Sequence, residues 1–394
     1  MTLTPPPIDH IDYRYPLYIG EWTKSLPSVD SQFATDNLDE PHLKRRLTIL
    51  KHHPEIEKLY GYDSCTVLIA LVAVFVQLSA AFVFGRILVD WHWTMYIYAY
   101  VVGGSASQLL GTIIHEAAHG LTARTMFQNR IVGLISNIGI PVPLAMSFRR
   151  YHLEHHVNLG IVGIDPDLPM EWEAKFIGGN AIMKFLWLNI YPILYIARGI
   201  AIQKYPPQLW EYLNIAFNIV ANVLIYVACG MRGFAYLCLS VWFGYGLHPA
   251  AARLIQEHYT FDDGQETYSY YGILNYLFMN SGYHNEHHDF TKVSKQDEES
   301  RGFALLSFAV DLDDANNGEI PWSRLPEVRK IANEYYENMA YHTSWLMVHW
   351  NFITKTQFGP QSRVKRTAVS QKRGRKLLGL LKEALNKEGN QQSM

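Results

Sequence analysis

Two long stretches without a charged side chain constrain this fold more than any other feature of the sequence. Residues 64–85 and residues 91–114 contain no Asp, Glu, Lys or Arg, and both are mostly apolar. A helix needs about 20 such residues to cross the hydrocarbon core of a bilayer. Because only residues 86–90 separate the two stretches, we predict a helical hairpin that returns the chain to its starting side of the membrane.

A second pair of uncharged stretches, at residues 212–231 and 233–252, predicts a second hairpin that turns at a Gly-Met-Arg-Gly sequence. Residues 181–202 are also apolar, but Lys184 and Arg198 are costly at a bilayer centre, so we expect an interfacial helix there. Residues 131–146 are short and contain two prolines, which favours a re-entrant or surface segment. The expected fold is an all-α membrane protein with two transmembrane hairpins, about four spans, and interfacial helices.

Charge asymmetry predicts the orientation in the membrane. The hairpin tips carry only Arg86 and Arg232, whereas the opposite side and the tail are rich in Arg and Lys. By the positive-inside rule that side, with both termini, is cytosolic. A net charge of −2 and three cysteines argue against a nucleic-acid binder and a disulfide-rich secreted module, and residues 1–63 do not resemble a signal peptide.

Eight of the 17 histidines occur in three clusters: HEAAH at residues 115–119, HLEHH at 152–156 and HNEHH at 284–288. Helix positions i, i+3 and i+4 share a face, so each cluster is expected to direct its imidazoles to one locus. Eight imidazoles are too many for one ion, which predicts a cytosolic cap with two metal ions. The predicted ligands are His115, His119, His152, His155, His156, His284, His287 and His288. His258 is a candidate ninth ligand, with a structural role as the equal alternative.

The identity of the metal is not fixed by imidazole ligands, which suit Zn, Cu, Fe and Ni alike. A two-metal site at a membrane face fits iron that activates dioxygen against a lipid chain, because attack on an unactivated methylene requires a redox cofactor. The alternative is an intramembrane zinc metalloprotease, since HEAAH satisfies H-E-x-x-H. That alternative leaves six clustered histidines unexplained, and metal content distinguishes the two classes. No nucleotide-binding or haem-binding motif is found, so electrons must come from another protein.

The three clusters resemble the histidine boxes of membrane fatty-acid desaturases and hydroxylases. The flanking sequence, at residues 39–56, 147–152, 165–169, 257–290 and 325–336, is similar to the sphingolipid delta-4 desaturases over about residues 30–366. The resemblance implies a non-haem di-iron centre, O2 as co-substrate, and electrons from NAD(P)H through a separate cytochrome b5 and its reductase. It also implies conversion of dihydroceramide to ceramide in the endoplasmic reticulum membrane. A sphingolipid C4-hydroxylase, or another membrane di-iron lipid hydroxylase, is the alternative, because both reactions share one oxidant.

The acidic residues near the clusters have expected supporting roles. Glu116, Glu154 and Glu286 each neighbour a predicted ligand and are expected to orient imidazole N–H groups or to pair with basic neighbours. Asp165 and Asp167 are candidates for contact with the polar headgroup of the substrate, with capping of a loop as the alternative.

Several departures from the family pattern accompany these similarities. Arg253 stands where the family usually has histidine, and arginine cannot coordinate a metal; a ligand is therefore missing if relatives use that histidine. Thr291 replaces the usual proline. The expected organisation is a flexible extension at residues 1–30, a sphingolipid-desaturase-type region at 31–62, the membrane core with the histidine boxes at 63–290, an insertion at 291–323, a C-terminal cytosolic cap at 324–366 and a basic tail at 367–394.

Overall fold

The computed structural model describes residues 34–35, 42–88, 90–202, 206–262, 265–291 and 318–366. The predicted extension at 1–30, most of the predicted insertion at 291–323 and the basic tail at 367–394 lie outside the described residues. Within the described ranges the helices are α1 His42–His52, α2 Cys65–Ile87, α3 Trp93–His119, α4 Met126–Ser136, α5 Ala145–Val157, α6 Glu171–Ile177, α7 Ala181–Asn189, α8 Tyr191–Ile202, α9 Leu209–Tyr245, α10 Arg253–Gln256, α11 His284–Asp289, α12 Leu325–Ile331 and α13 Trp345–Thr354. π turns at Val83–Ile87 and Ala99–Gly103 are included in α2 and α3.

Short elements connect these helices. The described 3-10 helices are Pro54–Leu59, Asn137–Gly139, Pro249–Ala252, Ile273–Tyr276, Trp322–Arg324 and Asn333–Tyr335. Two parallel strand pairs join segments that are distant in the sequence: β1 Ala34–Thr35 with β4 Val364–Lys365, and β2 Ser269–Tyr270 with β3 Tyr341–His342. The described part of the chain is therefore mostly helical, with almost no sheet, as predicted.

Three described helices, α2, α3 and α9, are long and apolar enough to cross a membrane. The first two form the predicted hairpin, because Gln77 in α2 donates hydrogen bonds to Gly103 O at 3.1 Å and to Ser107 Oγ at 3.0 Å. Helix α3 is longer than the uncharged stretch that predicted it. It continues to His119 and ends at Gly120, which has the left-handed conformation (φ 80°). The first histidine cluster is thus the last turn of a membrane-crossing helix.

The second hairpin lies within α9, which is interrupted at Gly230 by non-helical angles (φ 72°, ψ 179°). Trp210 and Val241 pack in the same apolar cluster, although an unbroken helix would hold them about 46 Å apart at 1.5 Å per residue. The chain therefore reverses at Gly230, whose positive φ angle glycine adopts more readily than other residues do. The returning arm is shorter than predicted: it ends at Tyr245 and not at Ala252, since Pro249 begins a separate 3-10 helix.

A pair of glycines allows α3 and the returning arm of α9 to approach each other closely. A Cβ atom on Gly244 would lie 2.8 Å from the carbonyl oxygen of Gly104, and one on Gly104 would lie 3.3 Å from Gly244 Cα. Small residues allow such backbone contact between helices in a membrane. Gln108 in α3 also donates to Gly244 O at 2.7 Å. This contact fixes α3 against the returning arm of α9.

Residues 131–146 enter the helical bundle and leave it again, as expected of a re-entrant segment. The 3-10 turn Asn137–Gly139 lies between α4 and α5, and Gly139 lies against Leu110 of α3 and Gln77 of α2. Asn137 donates to Ile140 O and Val142 O and accepts from Leu144 N and Ala145 N. These bonds satisfy backbone groups that could not hydrogen-bond to lipid.

The segment predicted as one interfacial helix forms two short helices, α7 and α8, which are bent by 74°. Neither is long enough to span a bilayer alone. Their charged residues are buried in protein: Lys184 Nζ donates to the carbonyl oxygens of Lys355 and Phe358, and Arg198 forms a 2.6 Å ion pair with Glu173. Protein contacts, and not only solvent at the membrane surface, therefore stabilise these two charges.

Candidate metal centre

Nine buried histidines form two groups where α3, α5 and α11 meet. The first histidine group consists of His115, His119, His152, His156 and His287. Neighbouring Nε2 atoms in this group are 2.8 to 3.2 Å apart. The second histidine group consists of His155, His258 and His288, together with His284. Nε2 of His258 lies 3.0 Å from Nε2 of His155 and 2.9 Å from Nε2 of His284.

The second and third clusters are each divided between the two groups, contrary to the expectation that each serves one locus. On α5, His152 and His156 belong to the first group and His155 to the second. On α11, His287 belongs to the first group and His288 to the second. Successive residues on a helix point about 100° apart, so adjacent histidines diverge. Helices α5 and α11 consequently contribute to both groups.

The spacing of the ring nitrogens is that of ligands around a common ion. An ion bound at about 2.1 Å by each imidazole holds adjacent nitrogens about 3.0 Å apart. Burial, reinforced by neighbouring positive groups, lowers the pKa well below its ordinary value for His152, His156, His258, His284, His287 and His288. These rings are therefore neutral, which is the form of histidine that binds metals. The residues fit two metal ions, one in each group.

Carboxylates lie beside the outer ring nitrogen, Nδ1, of three histidines. The contacts are Asp165 with His155 at 2.9 Å, Glu319 with His119 at 3.1 Å and Glu257 with His284 at 3.5 Å. Such contacts orient the ring and determine which nitrogen faces a metal. Glu319 and Glu257 were not predicted in this role, because neither stands at a helical spacing from the histidine that it contacts.

Trp322 closes one side of the first histidine group. Its Nε1 lies 2.9 Å from Nδ1 of His287, and its ring centroid is 4.6 Å from that of His115. The side chain is fully buried. Nothing in the sequence indicated this residue, which lies far along the chain from every histidine cluster.

The glutamates within the clusters contact other groups than the predicted imidazoles. Glu116 accepts hydrogen bonds from Trp322 N at 2.7 Å and Thr66 Oγ1 at 3.3 Å. Glu286 accepts hydrogen bonds from the hydroxyl groups of Ser269 and Tyr271, both at 2.6 Å. Glu154 accepts a hydrogen bond from the side chain of Asn158 at 3.2 Å. Each is one residue from a histidine on the same helix, so its side chain points about 100° away from it. Glu116 and Glu286 thus anchor the surrounding backbone and side chains.

Asp165 and Asp167, predicted as contacts for a substrate headgroup, lie behind His155. Asp165 is fully buried, and its oxygens accept from the backbone N–H groups of Gly160 and Asp167 in addition to contacting His155. Burial opposes ionisation, but the facing His155 lowers the pKa of Asp165. The Asp167 carboxylate is partly exposed, 3.7 Å from the same ring. This geometry favours orientation of His155 over contact with a substrate.

Replacing Asp165 with asparagine is expected to weaken metal retention and activity by about 10- to 100-fold, the usual loss when a group that orients a ligand is removed. An amide cannot provide the charge that holds the Nδ1 proton of His155. Metal bound per chain should be measured by atomic absorption after dialysis against a chelator. Asp167→Asn is the matched control and should retain its metal; equal losses in both variants would contradict the assignment.

Helix α1 holds the end of α11 through a buried polar network. Asp289, which follows the last histidine of α11, accepts from Arg45 Nε at 2.8 Å and Tyr336 Oη at 2.8 Å and contacts His42 Nδ1 at 2.8 Å. The other ring nitrogen of His42 lies 2.9 Å from Thr267 Oγ1. Burial opposes ionisation of Asp289, but Arg45 and His42 lower its pKa.

An apolar cavity extends from the helical bundle to the first histidine group. It is lined by parts of α3, α8 and α9 and by the re-entrant segment. Phe148 lines its inner end and stacks on His152, with ring centroids 4.9 Å apart. Arg253 lies at the same end, with its Nε 3.5 Å from Glu257 Oε1. The nine histidines converge without a ring at position 253.

Comparisons with known proteins agree with this architecture. A family model described as "Fatty acid desaturase" matches residues 91–345, and one described as "Sphingolipid Delta4-desaturase (DES)" matches residues 30–64. The chain belongs to the fatty acid desaturase family, and it is therefore an oxidoreductase.

Comparison with individual relatives shows to which group within the fatty acid desaturase family the chain belongs. "Sphingolipid delta(4)-desaturase DES1" of Drosophila melanogaster is 40% identical over 83% of this chain and 93% of its own length. The "DES1-like" protein of Arabidopsis thaliana is 39% identical over 85% of this chain and 92% of its own. Human "Sphingolipid delta(4)-desaturase DES1" is 36% identical over 83% of this chain and 93% of its own length. Within the family, the chain belongs with the sphingolipid delta(4)-desaturases, which confirms the resemblance seen in the sequence.

Proposed function

We propose that this chain converts dihydroceramide to ceramide by introducing a trans double bond between carbons 4 and 5 of the sphinganine base, with O2 as co-substrate. The observation that carries this proposal is the pair of buried histidine groups at the end of an apolar cavity. The names of the relatives, sphingolipid delta(4)-desaturases, supply the lipid class and the bond position. The reaction consumes two hydrogens of the substrate, one O2, two electrons and two protons, and yields two waters.

We assign two non-haem iron ions to the two histidine groups. His115, His119, His152, His156 and His287 would hold one ion, and His155, His258, His284 and His288 the other. Bound iron supplies the redox chemistry with dioxygen that amino-acid side chains lack. The chain's own residues orient the rings through Asp165 and Glu319, and its apolar cavity excludes water and holds the hydrocarbon chain beside the site.

The cavity suits a hydrocarbon chain because its lining is mostly apolar, and it lies beside the first histidine group through Phe148. Gly111 and Ile114 of α3 line one side, and Ile196 of α8 lines another. The ring of Phe148 lies between this cavity and His152, on which it stacks with ring centroids 4.9 Å apart. A methylene of the sphinganine base at this end would lie next to the first histidine group.

Electrons are proposed to come from NAD(P)H through a separate cytochrome b5 and its reductase, since the sequence contains no haem-binding or nucleotide-binding motif. We also propose an endoplasmic reticulum membrane location with both termini in the cytosol, on the side that is rich in Arg and Lys. Residues 63–290 would form the membrane core with the histidine boxes, and residues 31–62 and 324–366 would pack against it from the cytosolic side.

Two features disfavour the zinc metalloprotease alternative. His115 and His119 are joined by three further histidines in one group. Glu116, which would be the general base of a protease, is fully buried and accepts hydrogen bonds from Trp322 N and Thr66 Oγ1. A general base must instead be within reach of a water at the metal.

The proposal is tested by supplying dihydroceramide, NADH and O2 to membranes of a desaturase-deficient host that expresses the chain. Mass spectrometry should detect a product with two hydrogens fewer than the substrate and a trans double bond between carbons 4 and 5. Membranes without the chain and reactions without O2 are the controls. A product that has gained an oxygen at carbon 4 would identify a hydroxylase, and absence of conversion would contradict the proposal.

A further inference from the structure

Arg253 is a buried cation whose hydrogen-bonding capacity is largely unused. Its side chain is 7% exposed, and its Nε and Nη1 atoms are buried with no hydrogen-bond partner among the described residues. The Glu257 carboxylate lies 3.5 Å from Nε, beyond an ordinary charge-assisted hydrogen bond. The guanidinium carbon lies 5.4 Å from the ring centre of Trp322. A buried charged group without hydrogen bonds is unfavourable, which points to a missing partner.

The missing partner has to enter from the apolar cavity. Among the described residues that line that cavity, Arg253 carries the only charge, and its other neighbours there include Phe148, Tyr245 and Leu254. Phe148 stacks on His152. On the opposite side of Arg253, Trp322 contacts rings of the first histidine group. The guanidinium is therefore close to the place where the reacting carbons are proposed to lie.

The proposed substrate brings polar groups to this same place. Carbon 4 of sphinganine is bonded to carbon 3, which bears a hydroxyl, and carbon 2 bears the amide. With carbon–carbon bonds of about 1.5 Å, these oxygens lie within about 5 Å of the reacting carbons. They must therefore be buried whenever carbon 4 reaches the histidine groups, and buried polar groups require hydrogen-bond partners.

We propose that Arg253 donates hydrogen bonds to the 3-hydroxyl or amide oxygen of the sphingoid base, and so determines which carbons face the metal centre. Guanidinium has five donors and no acceptor, so its partner must be an acceptor oxygen of this kind. Arg253 is thus a specificity residue of the proposed reaction, and this inference rests on the proposed function. The unpaired donors, the apolar lining and the position of the reacting bond all indicate the same role.

The test compares the wild-type chain with Arg253→Met on three substrates: dihydroceramide, its 3-deoxy analogue, and its thioamide analogue, in which sulfur replaces the amide oxygen. On dihydroceramide, Arg253→Met is expected to lower kcat/KM by about 10- to 100-fold, the loss expected for a hydrogen bond to a charged group. On the analogue that lacks the bonded oxygen, the two chains should differ by less than about threefold. The variant should also yield more product desaturated at other carbons.

Two controls separate substrate recognition from a structural role. Glu257→Gln removes the weak counter-ion of Arg253 and the contact with His284; it should change metal retention without abolishing discrimination between dihydroceramide and its analogues. Lys330→Met removes an exposed cation, whose side chain is 76% accessible, and should behave as wild type. Metal content of Arg253→Met, measured per chain, should equal that of wild type.

The inference is overturned if Arg253→Met and wild type desaturate dihydroceramide equally well, or if the variant is impaired to the same degree on all three substrates. It is also overturned if Glu257→Gln reproduces the substrate pattern of Arg253→Met, because Arg253 would then act through Glu257. Failure of the proposed function gives a different result, in which the wild-type chain itself makes no desaturated product.

Discussion

Replacing His258 with alanine is expected to lower the activity at least about 100-fold and to leave about one metal ion per chain instead of two. Removing a metal ligand should cost more than the 10- to 100-fold loss that is typical when a residue orienting a ligand is removed. Nε2 of His258 lies 3.0 Å from that of His155 and 2.9 Å from that of His284, so its ring links the members of the second histidine group. The first group has five imidazoles of its own and should keep its ion. Iron per chain is measured by plasma mass spectrometry on purified protein.

The matched control for this experiment is His349→Ala. His349 is also buried, at 7% exposed, but it lies on α13 and belongs to neither histidine group. It should therefore retain two ions per chain and its activity. Two ions and a normal rate in the His258 variant would show that His258 is structural, and equal loss of metal in both variants would indicate general unfolding.

The second large effect is expected from Arg45→Met, which removes the cation that faces Asp289 in the network between α1 and α11. Both side chains are fully buried, and Arg45 Nη2 lies 2.7 Å from Asp289 Oδ1. Leaving one buried charge without its partner costs about 3–5 kcal/mol. The free energy of unfolding in detergent should fall by this amount, and protease should release α1 more readily. Because Asp289 follows His288, metal retention should fall as well.

Arg46→Met is the matched control for Arg45→Met, because Arg46 stands on the same helix but donates to neutral groups, Gly318 O and Tyr60 Oη. Its removal should cost about 1.5–3 kcal/mol, as for hydrogen bonds made by a charged group. A double variant of Arg45 and Asp289 should lose less than the sum of the single variants, since the two groups interact. If Arg45→Met is no more harmful than Arg46→Met, the network does not stabilise α11.

The sequence predicted those features that depend on local patterns. Uncharged stretches located both hairpins, and the repeated spacing of histidines selected eight of the nine converging rings, with His258 as a candidate for the ninth. Division of the clusters between two groups was not predictable, because it depends on how α5 and α11 pack between the two sites. The end of α3 was not predicted, because the apolar stretch ends just before the first histidine, whereas the helix continues to Gly120.

The contacts around the histidines were the least predictable part of the site. Glu319 and Trp322 reach the first histidine group from a segment far along the chain, and no periodicity relates them to it. Glu116 was predicted to orient an adjacent imidazole or to pair with a basic neighbour, but it accepts a hydrogen bond from Trp322 N. From the sequence, Arg253 stands where a ligand is expected; in the structure it lies near the converging rings and lines the cavity.

The contact between Gly104 and Gly244 has an evolutionary consequence for the length of α3. Inserting one residue between Gly104 and His115 would turn both histidines of this helix by about 100° and move them by about 1.5 Å. The glycine contact prevents the helix from sliding to compensate. Insertions and deletions should therefore be excluded from this interval and tolerated near Trp93, at the far end of the helix. Adjustment to membranes of different thickness is expected at that end, away from the metal centre.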